Sequence, residues 1–139
     1  MRKFEFRLQR VLDYRHLQEG WAKDALREAQ AALVDAEKEL EAILAERAQA
    51  LKRKQKTLEA MVEQETFVLK LEDDAESQRS VIAILADEVE RATNEWIEAK
   101  RAVETMEKLK RREFEIWETE LSREEQKALD DWTNTRRPA

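Results

Sequence analysis

Few residues of this chain could carry out catalytic chemistry, and nothing in their spacing brings them together. His16 is the only histidine and there is no cysteine, so neither a zinc set nor a thiolate nucleophile can be assembled. Acidic pairs such as Asp73–Asp74 and Glu124–Glu125 are more typical of a solvated helix face than of an acid/base or metal site. The sequence has no glycine-rich phosphate loop and no serine nucleophile motif. We therefore expect no enzymatic activity, no metal and no cofactor.

The residues that could still take part in binding are the aromatic and basic groups near the two ends of the chain. Such groups suit docking to a partner. Residues 1–20 hold five bases and three acids, and residues 108–139 hold eight of each. Because the whole chain has a net charge of −6, the middle segment 21–107 carries −8. An acidic chain is a poor ligand for phosphates, so we expect no nucleic-acid partner. The basic groups near the ends include Arg2, Lys3, Arg7, Arg10, Lys108, Lys110, Arg111 and Arg112.

Long helices must position these groups. Between Phe67 and Met106 apolar residues recur at alternating steps of four and three, and this average spacing of about 3.5 residues is typical of a coiled coil. The composition agrees, because 42% of the residues are charged and the chain has one glycine and one proline. The core-facing positions, called the seam below, are Leu71, Ala75, Gln78, Ile82, Leu85, Val89, Ala92, Trp96, Ala99, Val103 and Met106.

The first part of the chain shows a similar repeat in two phases. The phases differ by one position near Gly20, which predicts either a local kink or a glycine tolerated on an exposed helix face. The upstream stripe comprises Phe4, Leu8, Val11, Tyr14, Leu17 and Trp21, and the downstream repeat comprises Ala22, Leu26, Ala29, Leu33, Ala36, Leu40 and Ile43.

A reversal is expected between these two repeats, where four bases crowd into residues 52–56 and Thr57 can cap a new helix. The fold class is therefore all-α, with two long helices forming an antiparallel coiled-coil hairpin whose second helix is longer and has a C-terminal overhang. The alternative is one continuous helix, which needs an equally long partner chain. We expect a single domain over 1–139, with helix 1 at about 4–53, the turn at about 54–58, helix 2 at about 58–134, and fraying over Thr133–Ala139.

The overhang is predicted to be a docking surface because it has apolar residues on one helical face and no helix of its own chain to pair with. These residues are Phe114, Trp117, Leu121, Ala128, Leu129 and Trp132. The alternative is that the N-terminal aromatics Phe4 and Phe6 fold over part of this face.

No apolar run approaches the ~20 residues needed to cross a bilayer, and the charged N-terminus lacks the apolar core of a signal peptide. The expected location is the cytoplasm, without direct membrane insertion.

Four segments, in order along nearly the whole chain, resemble the flagellar FliJ family. They are residues 4–15 (FEFRLQRVLDYR), 67–71 (FVLKL), 96–112 (WIEAKRAVETMEKLKRR) and 124–131 (EEQKALDD). The resemblance implies a coiled coil similar to that of the rotary-ATPase gamma subunit, serving as a stalk in the type III export apparatus. It implies a location at the inner-membrane export apparatus, with peripheral attachment. Two alternatives stay open: the equivalent stalk of a virulence type III secretion system, and a homodimeric coiled-coil scaffold or spacer.

The implied partners are the hexameric flagellar export ATPase, which the terminal end would enter and stimulate, a membrane export-gate protein, and export chaperones. By resemblance, the residues facing the ATPase ring are Phe4, Arg7, Leu8, Arg10, Val11, Lys110, Arg111, Arg112, Phe114, Trp117 and Leu121. The residues facing the export gate are Ile43, Phe67, Leu71 and Gln78.

Overall fold

The computed structural model describes residues 3–136 and contains two α-helices, α1 (Gln9–Lys52) and α2 (Leu58–Arg136), with no strand among those residues. The helices pack against each other as an antiparallel hairpin, and α2 is the longer, as the sequence predicted. Arg2 and residues 137–139, the last part of the segment expected to fray, lie outside the described residues. By packing, the chain divides into two units. The terminal unit comprises Met1–Gly20 and Glu98–Ala139, and the turn unit comprises Trp21–Ile97.

In the turn unit, residues 53–57 connect the helices, which overlaps the segment 54–58 expected for the reversal. Thr57 caps α2, because its hydroxyl accepts a hydrogen bond from the Ala60 amide at 3.1 Å; this confirms the predicted cap. The Gln64 side-chain amide donates to the backbone carbonyls of Ala50 and, at 3.0 Å, Arg53. A side chain of the second helix therefore satisfies carbonyls that the end of the first helix leaves without helical partners.

The seam of the turn unit is buried as the 3.5-residue spacing predicted. Leu71, Ala75 and Ala92 on α2 are at most 8% exposed, and Ala36 on α1 is 6% exposed. The remaining seam positions of this unit and the repeat from Ala22 to Ile43 are partly buried. Small alanine side chains between the leucines allow two helices to approach closely while still excluding water.

Two polar contacts cross between the helices of the turn unit. The Gln78 side-chain amide donates to the Ala36 carbonyl at 2.9 Å, so the one polar residue of the predicted seam has a partner on α1. The Arg47 guanidinium donates two hydrogen bonds to one carboxylate oxygen of Glu72, at 2.7 and 3.1 Å. Such directional contacts select one register of the helix pair over its neighbours.

At its N-terminal end the α2 seam continues through Val68 and does not include Phe67. Phe67 is 40% exposed, whereas its neighbour Val68 is 8% exposed. The alternation of four and three steps back from Leu71 by three residues, to Val68, and then by four, to the partly buried Gln64. The aromatic side chain therefore lies outside the seam.

In the terminal unit, α1 begins at Gln9, so the expected helical start at Phe4 is wrong. The preceding residues form a turn closed by a hydrogen bond from the Gln9 amide to the Phe6 carbonyl at 3.1 Å. Phe6 is 7% exposed and packs in a small core with Leu12 and Val103. Burying this phenyl ring stabilises the non-helical segment more than one further helical turn in water would. Phe4, Leu8, Met106 and Leu109 pack against this core.

From Val11 onwards the predicted upstream stripe is also wrong as a core face, although its first members, Phe4 and Leu8, do pack against the core. Val11, Tyr14 and Leu17 are 40%, 51% and 55% exposed, whereas Leu12 is 3% exposed. Trp21, the member of the stripe that belongs to the turn unit, is 58% exposed. The physical reason is that the repeat keeps its phase: steps of three and four back from Ala22 reach Glu19, Arg15, Leu12 and Leu8.

Gly20 is helical, and a Cβ atom added there would meet no other atom within 4 Å. No described glycine has a positive φ and α1 runs through this position as one helix, so the glycine is tolerated here and a side chain would fit.

We expect Leu12→Ala to lower the free energy of unfolding by about 2–4 kcal/mol, because it empties the small core of the terminal unit. The matched control Val11→Ala should change it by less than about 0.5 kcal/mol, since that side chain is exposed. Urea unfolding followed by circular dichroism measures both. If Val11→Ala lowered the free energy of unfolding more than Leu12→Ala does, the core face would be the one predicted from the upstream stripe.

Gly20→Ala should raise the free energy of unfolding by about 0.5–1 kcal/mol, because alanine loses less backbone entropy in a helix and finds open space here. The same unfolding experiment measures the change. A loss of stability would show that the helix needs a deformation at this position.

Candidate docking surface

Three aromatic rings of the terminal unit form a cluster, here called the aromatic cluster: Phe4, Phe114 and Trp117. The Phe4 and Phe114 ring centres are 5.2 Å apart with an interplanar angle of 79°, an edge-to-face arrangement. Trp117 lies 5.8 Å from each of the other two rings. Phe4 reaches this position because the buried Phe6 anchors the N-terminal segment beside α2.

The cluster changes the interpretation of the overhang. Phe114 and Trp117 were expected to have no partner within the chain, but Phe4 packs on both of them, as the alternative reading held. The rings are not fully covered, since Phe114 remains 40% exposed and both Phe4 and Trp117 are partly buried. The cluster thus presents a preformed apolar surface, in which part of each ring is held by its neighbours and part faces solvent.

Basic residues lie beside the aromatic cluster: Arg7, Arg10 and Lys110 line one groove with Phe4, and Arg111 lines another with Phe4 and Phe114. Arg7, Arg10, Arg111 and Arg112 are exposed. Lys110 is partly buried, and its ammonium group donates to the Gln9 side-chain oxygen at 2.8 Å, which ties α2 to the first turn of α1. Since most of these groups extend into solvent, they act on an approaching partner through its charge more than through fixed geometry.

A groove of about 420 Å³ lies beside the cluster, with Phe4, Leu12 and Phe114 among the residues that line it. His16 also lines the groove, and its Nε2 lies 3.3 Å from a Glu107 carboxylate oxygen. Both side chains are half exposed, so this pair contributes little to stability. Among the described residues no group of three potential ligands could hold a metal ion.

Beyond Leu121, α2 continues to Arg136 with every residue exposed. Leu129 and Trp132 are three residues apart, on one face, and are 56% and 55% exposed. The Arg136 guanidinium lies 4.5 Å from the centre of the Trp132 ring. The helix therefore persists past Thr133, where fraying was expected, and it offers two large apolar side chains that no other helix of this unit covers.

The remaining residues proposed to face the ring fall into two groups. Leu8 packs against the Phe6–Leu12–Val103 core, whereas Val11 lies on the outer side of α1. Sequence reasoning missed Ile116, which is 52% exposed on α2 between the two rings of the cluster that this helix supplies. The sequence did contain a signal for this exposed residue, because Ile116 is a large apolar residue that falls outside the predicted seam.

The four residues proposed to face the export gate all belong to the turn unit, but they do not share one exposed surface. Leu71 is 5% exposed within the seam, and Gln78 is engaged with the Ala36 carbonyl. Ile43 is partly buried, which leaves Phe67 as the most accessible of the four.

Within the described part of the chain, no helix is both long and apolar enough to cross a membrane. Comparison with protein families gives a match over residues 4–137 to the family described as flagellar FliJ protein. Neither the curated proteins nor the solved structures that were compared with the chain gave a match. The match covers nearly the whole sequence and includes all the segments on which the resemblance rested. The chain therefore belongs to the flagellar FliJ family and is a component of the flagellar export apparatus.

Proposed function

We propose that this protein is the non-enzymatic central stalk of the flagellar export apparatus, and that its terminal unit inserts into the hexameric export ATPase and stimulates ATP hydrolysis. The observation that carries the proposal is the combination, in one unit, of a preformed aromatic cluster with an α2 extension that is exposed on all sides. Family membership indicates that the protein works in the flagellar export apparatus. The aromatic cluster and the α2 extension are the features that could bind inside a ring-shaped partner within that apparatus.

The energetics of the extension favour a socket. An isolated helix of this length is marginal in water, and exposed side chains such as Leu129 and Trp132 add no stability until a partner covers them. Insertion into a ring would bury both these residues and the outer edges of the aromatic cluster. Tryptophan and other large side chains in such positions commonly carry most of the binding energy of an interface.

The exposed arginines suit an acidic rim around an apolar throat. Long-range attraction by Arg7, Arg10, Arg111 and Arg112 would raise the association rate, which then falls as salt screens the charges. The final affinity would depend more on the apolar contacts, because exposed charges retain their hydration.

We further propose that the turn unit contacts the membrane export-gate protein through Phe67, the exposed member of the gate-facing set. Ile43, Leu71 and Gln78 would then not touch the gate protein, and would act only by holding Phe67 in place through the packing of the two helices. The acidic segment 21–107 is the proposed face for escorting export chaperones. In this role the protein is cytoplasmic and peripherally associated with the inner-membrane export apparatus.

The scaffold alternative is less well supported. A parallel dimer of continuous helices needs an uninterrupted chain through residues 53–57, where the structure has a turn capped from both sides. The virulence-system alternative has no specific support either, because the matching family is the flagellar one.

The test is stimulation of the purified export ATPase by the double variant Trp117→Ala/Leu121→Ala. The concentration needed for half-maximal stimulation should rise by at least about tenfold, since a tryptophan at an interface centre is costly to remove. The matched control Val81→Ala/Ile84→Ala removes two exposed apolar residues of the turn unit and should leave stimulation unchanged.

Circular dichroism must show equal helix content for both variants. An unchanged ATPase rate with Trp117→Ala/Leu121→Ala, or an equal loss with the control, would contradict insertion through the terminal unit.

A further inference from the structure

The segment between the helices carries a concentrated positive charge, here called the basic turn: Lys52, Arg53, Lys54 and Lys56. No acidic residue occurs between Ala48 and Leu58, although the whole chain has a net charge of −6. All four bases are exposed, and within the described residues none of them forms an ion pair. Four unpaired like charges in five residues repel one another, so this segment gains from any anionic surface that comes close.

Large aliphatic side chains surround the basic turn. Leu51 at the end of α1 is 55% exposed, and Leu58 at the start of α2 is 77% exposed. Met61 and Val62, which are 50% and 55% exposed, follow Leu58 at the spacing that places them on the same face of the first turn of α2. The bases and the apolar side chains therefore occupy the same end of the turn unit.

We propose that the basic turn and these aliphatic side chains dock onto an anionic lipid surface. Three of the four bases are lysines, whose compact charge fits a diffuse layer of headgroups, whereas protein interfaces favour arginine and deplete lysine. The apolar side chains are unbranched or branched aliphatic groups on the helix ends that flank the turn, where a fluid interface can close around them. Clusters of four or more bases next to apolar residues are typical of segments that bind acidic lipids.

The contact is shallow. The bases stay among the headgroups, and Leu51, Leu58, Met61 and Val62 reach the boundary of the acyl chains. This differs from insertion of a helix, for which no described helix is long and apolar enough. The inference is independent of the proposed stalk role, because it uses none of the residues of the terminal unit.

The test is co-flotation of the full chain with vesicles of equal parts phosphatidylglycerol and phosphatidylcholine, compared with vesicles of phosphatidylcholine alone. The chain should bind the anionic vesicles, bind the neutral ones far more weakly, and dissociate as salt is raised. Lys54→Glu/Lys56→Glu should weaken binding by at least about 25-fold, at roughly fivefold for each base. The matched control Arg27→Glu/Lys38→Glu changes the net charge equally at exposed positions of α1 and should retain binding.

A second pair of variants tests the apolar part. Leu58→Ser/Met61→Ser should weaken binding to the anionic vesicles by about tenfold, whereas Val81→Ser/Ile84→Ser, which removes aliphatic side chains exposed elsewhere in the turn unit, should not. Stimulation of the export ATPase by all four variants separates this inference from the proposed function, since vesicle binding can be lost while stimulation persists.

Absence of binding to the anionic vesicles would overturn the proposal. So would an equal loss with the Arg27→Glu/Lys38→Glu control, which would indicate a general charge effect. Binding of the basic turn to an acidic protein without any binding to vesicles would also overturn it, in favour of a protein partner.

Discussion

The structure depends on one constraint: apolar residues spaced at 3.5 residues on both helices must be removed from water, and each helix of the hairpin covers the other. The rest of the chain offers little alternative, because 42% of its residues are charged and the described residues include no buried polar or charged side chain. Alternation of leucine with alanine brings the helices close, so even thin layers such as Ala36 and Ala75 are almost completely buried. The proposed docking surfaces are the places where this mutual covering stops.

Polar contacts between the helices contribute more to the register of the helix pair than to its stability. The Arg47–Glu72 pair is about two-fifths exposed on each side, and exposed pairs of this kind contribute less than about 1 kcal/mol. The Gln78 side-chain amide donates to the Ala36 carbonyl and lies 3.5 Å from a Glu39 carboxylate oxygen, so the one polar residue of the seam is hydrogen-bonded in this register. In the terminal unit, the Lys110–Gln9 hydrogen bond likewise joins a side chain of α2 to one of α1.

Sequence periodicity predicted the parts of the fold in which a single apolar stripe exists. The seam of α2 and the Thr57 cap follow from local spacing and local chemistry. The beginning of α1 could not be predicted in this way, because two stripes compete there and both have helical spacing. Both pass through Leu8, but one continues to Leu12 and the other to Val11 and Tyr14; only the position of α2 decides between them.

The candidate docking surface was predictable in composition but not in arrangement. Aromatic and basic residues near both ends indicated a surface for a partner, yet the contact of Phe4 with Phe114 and Trp117 joins residues more than a hundred positions apart. It exists because Phe6 is buried and holds a non-helical segment against α2, and no local pattern distinguishes that segment from one more helical turn. The extension beyond Leu121 was foreseen because the turn sets how much of α2 lies opposite α1.

The beginning of the chain pairs with the region near Glu107, and this pairing creates the terminal unit. His16 and Glu107 are half exposed and 3.3 Å apart, and the chain has no cysteine, so His16→Cys/Glu107→Cys provides two unique sites for spin labels. Pulsed electron paramagnetic resonance on the labelled variant, diluted with unlabelled chain, should give a distance between the two spin labels of at most about 25 Å, as expected for side chains on adjacent helices. A distance of roughly 135 Å, the span of a continuous helix between these positions, would contradict the hairpin and the docking surface together.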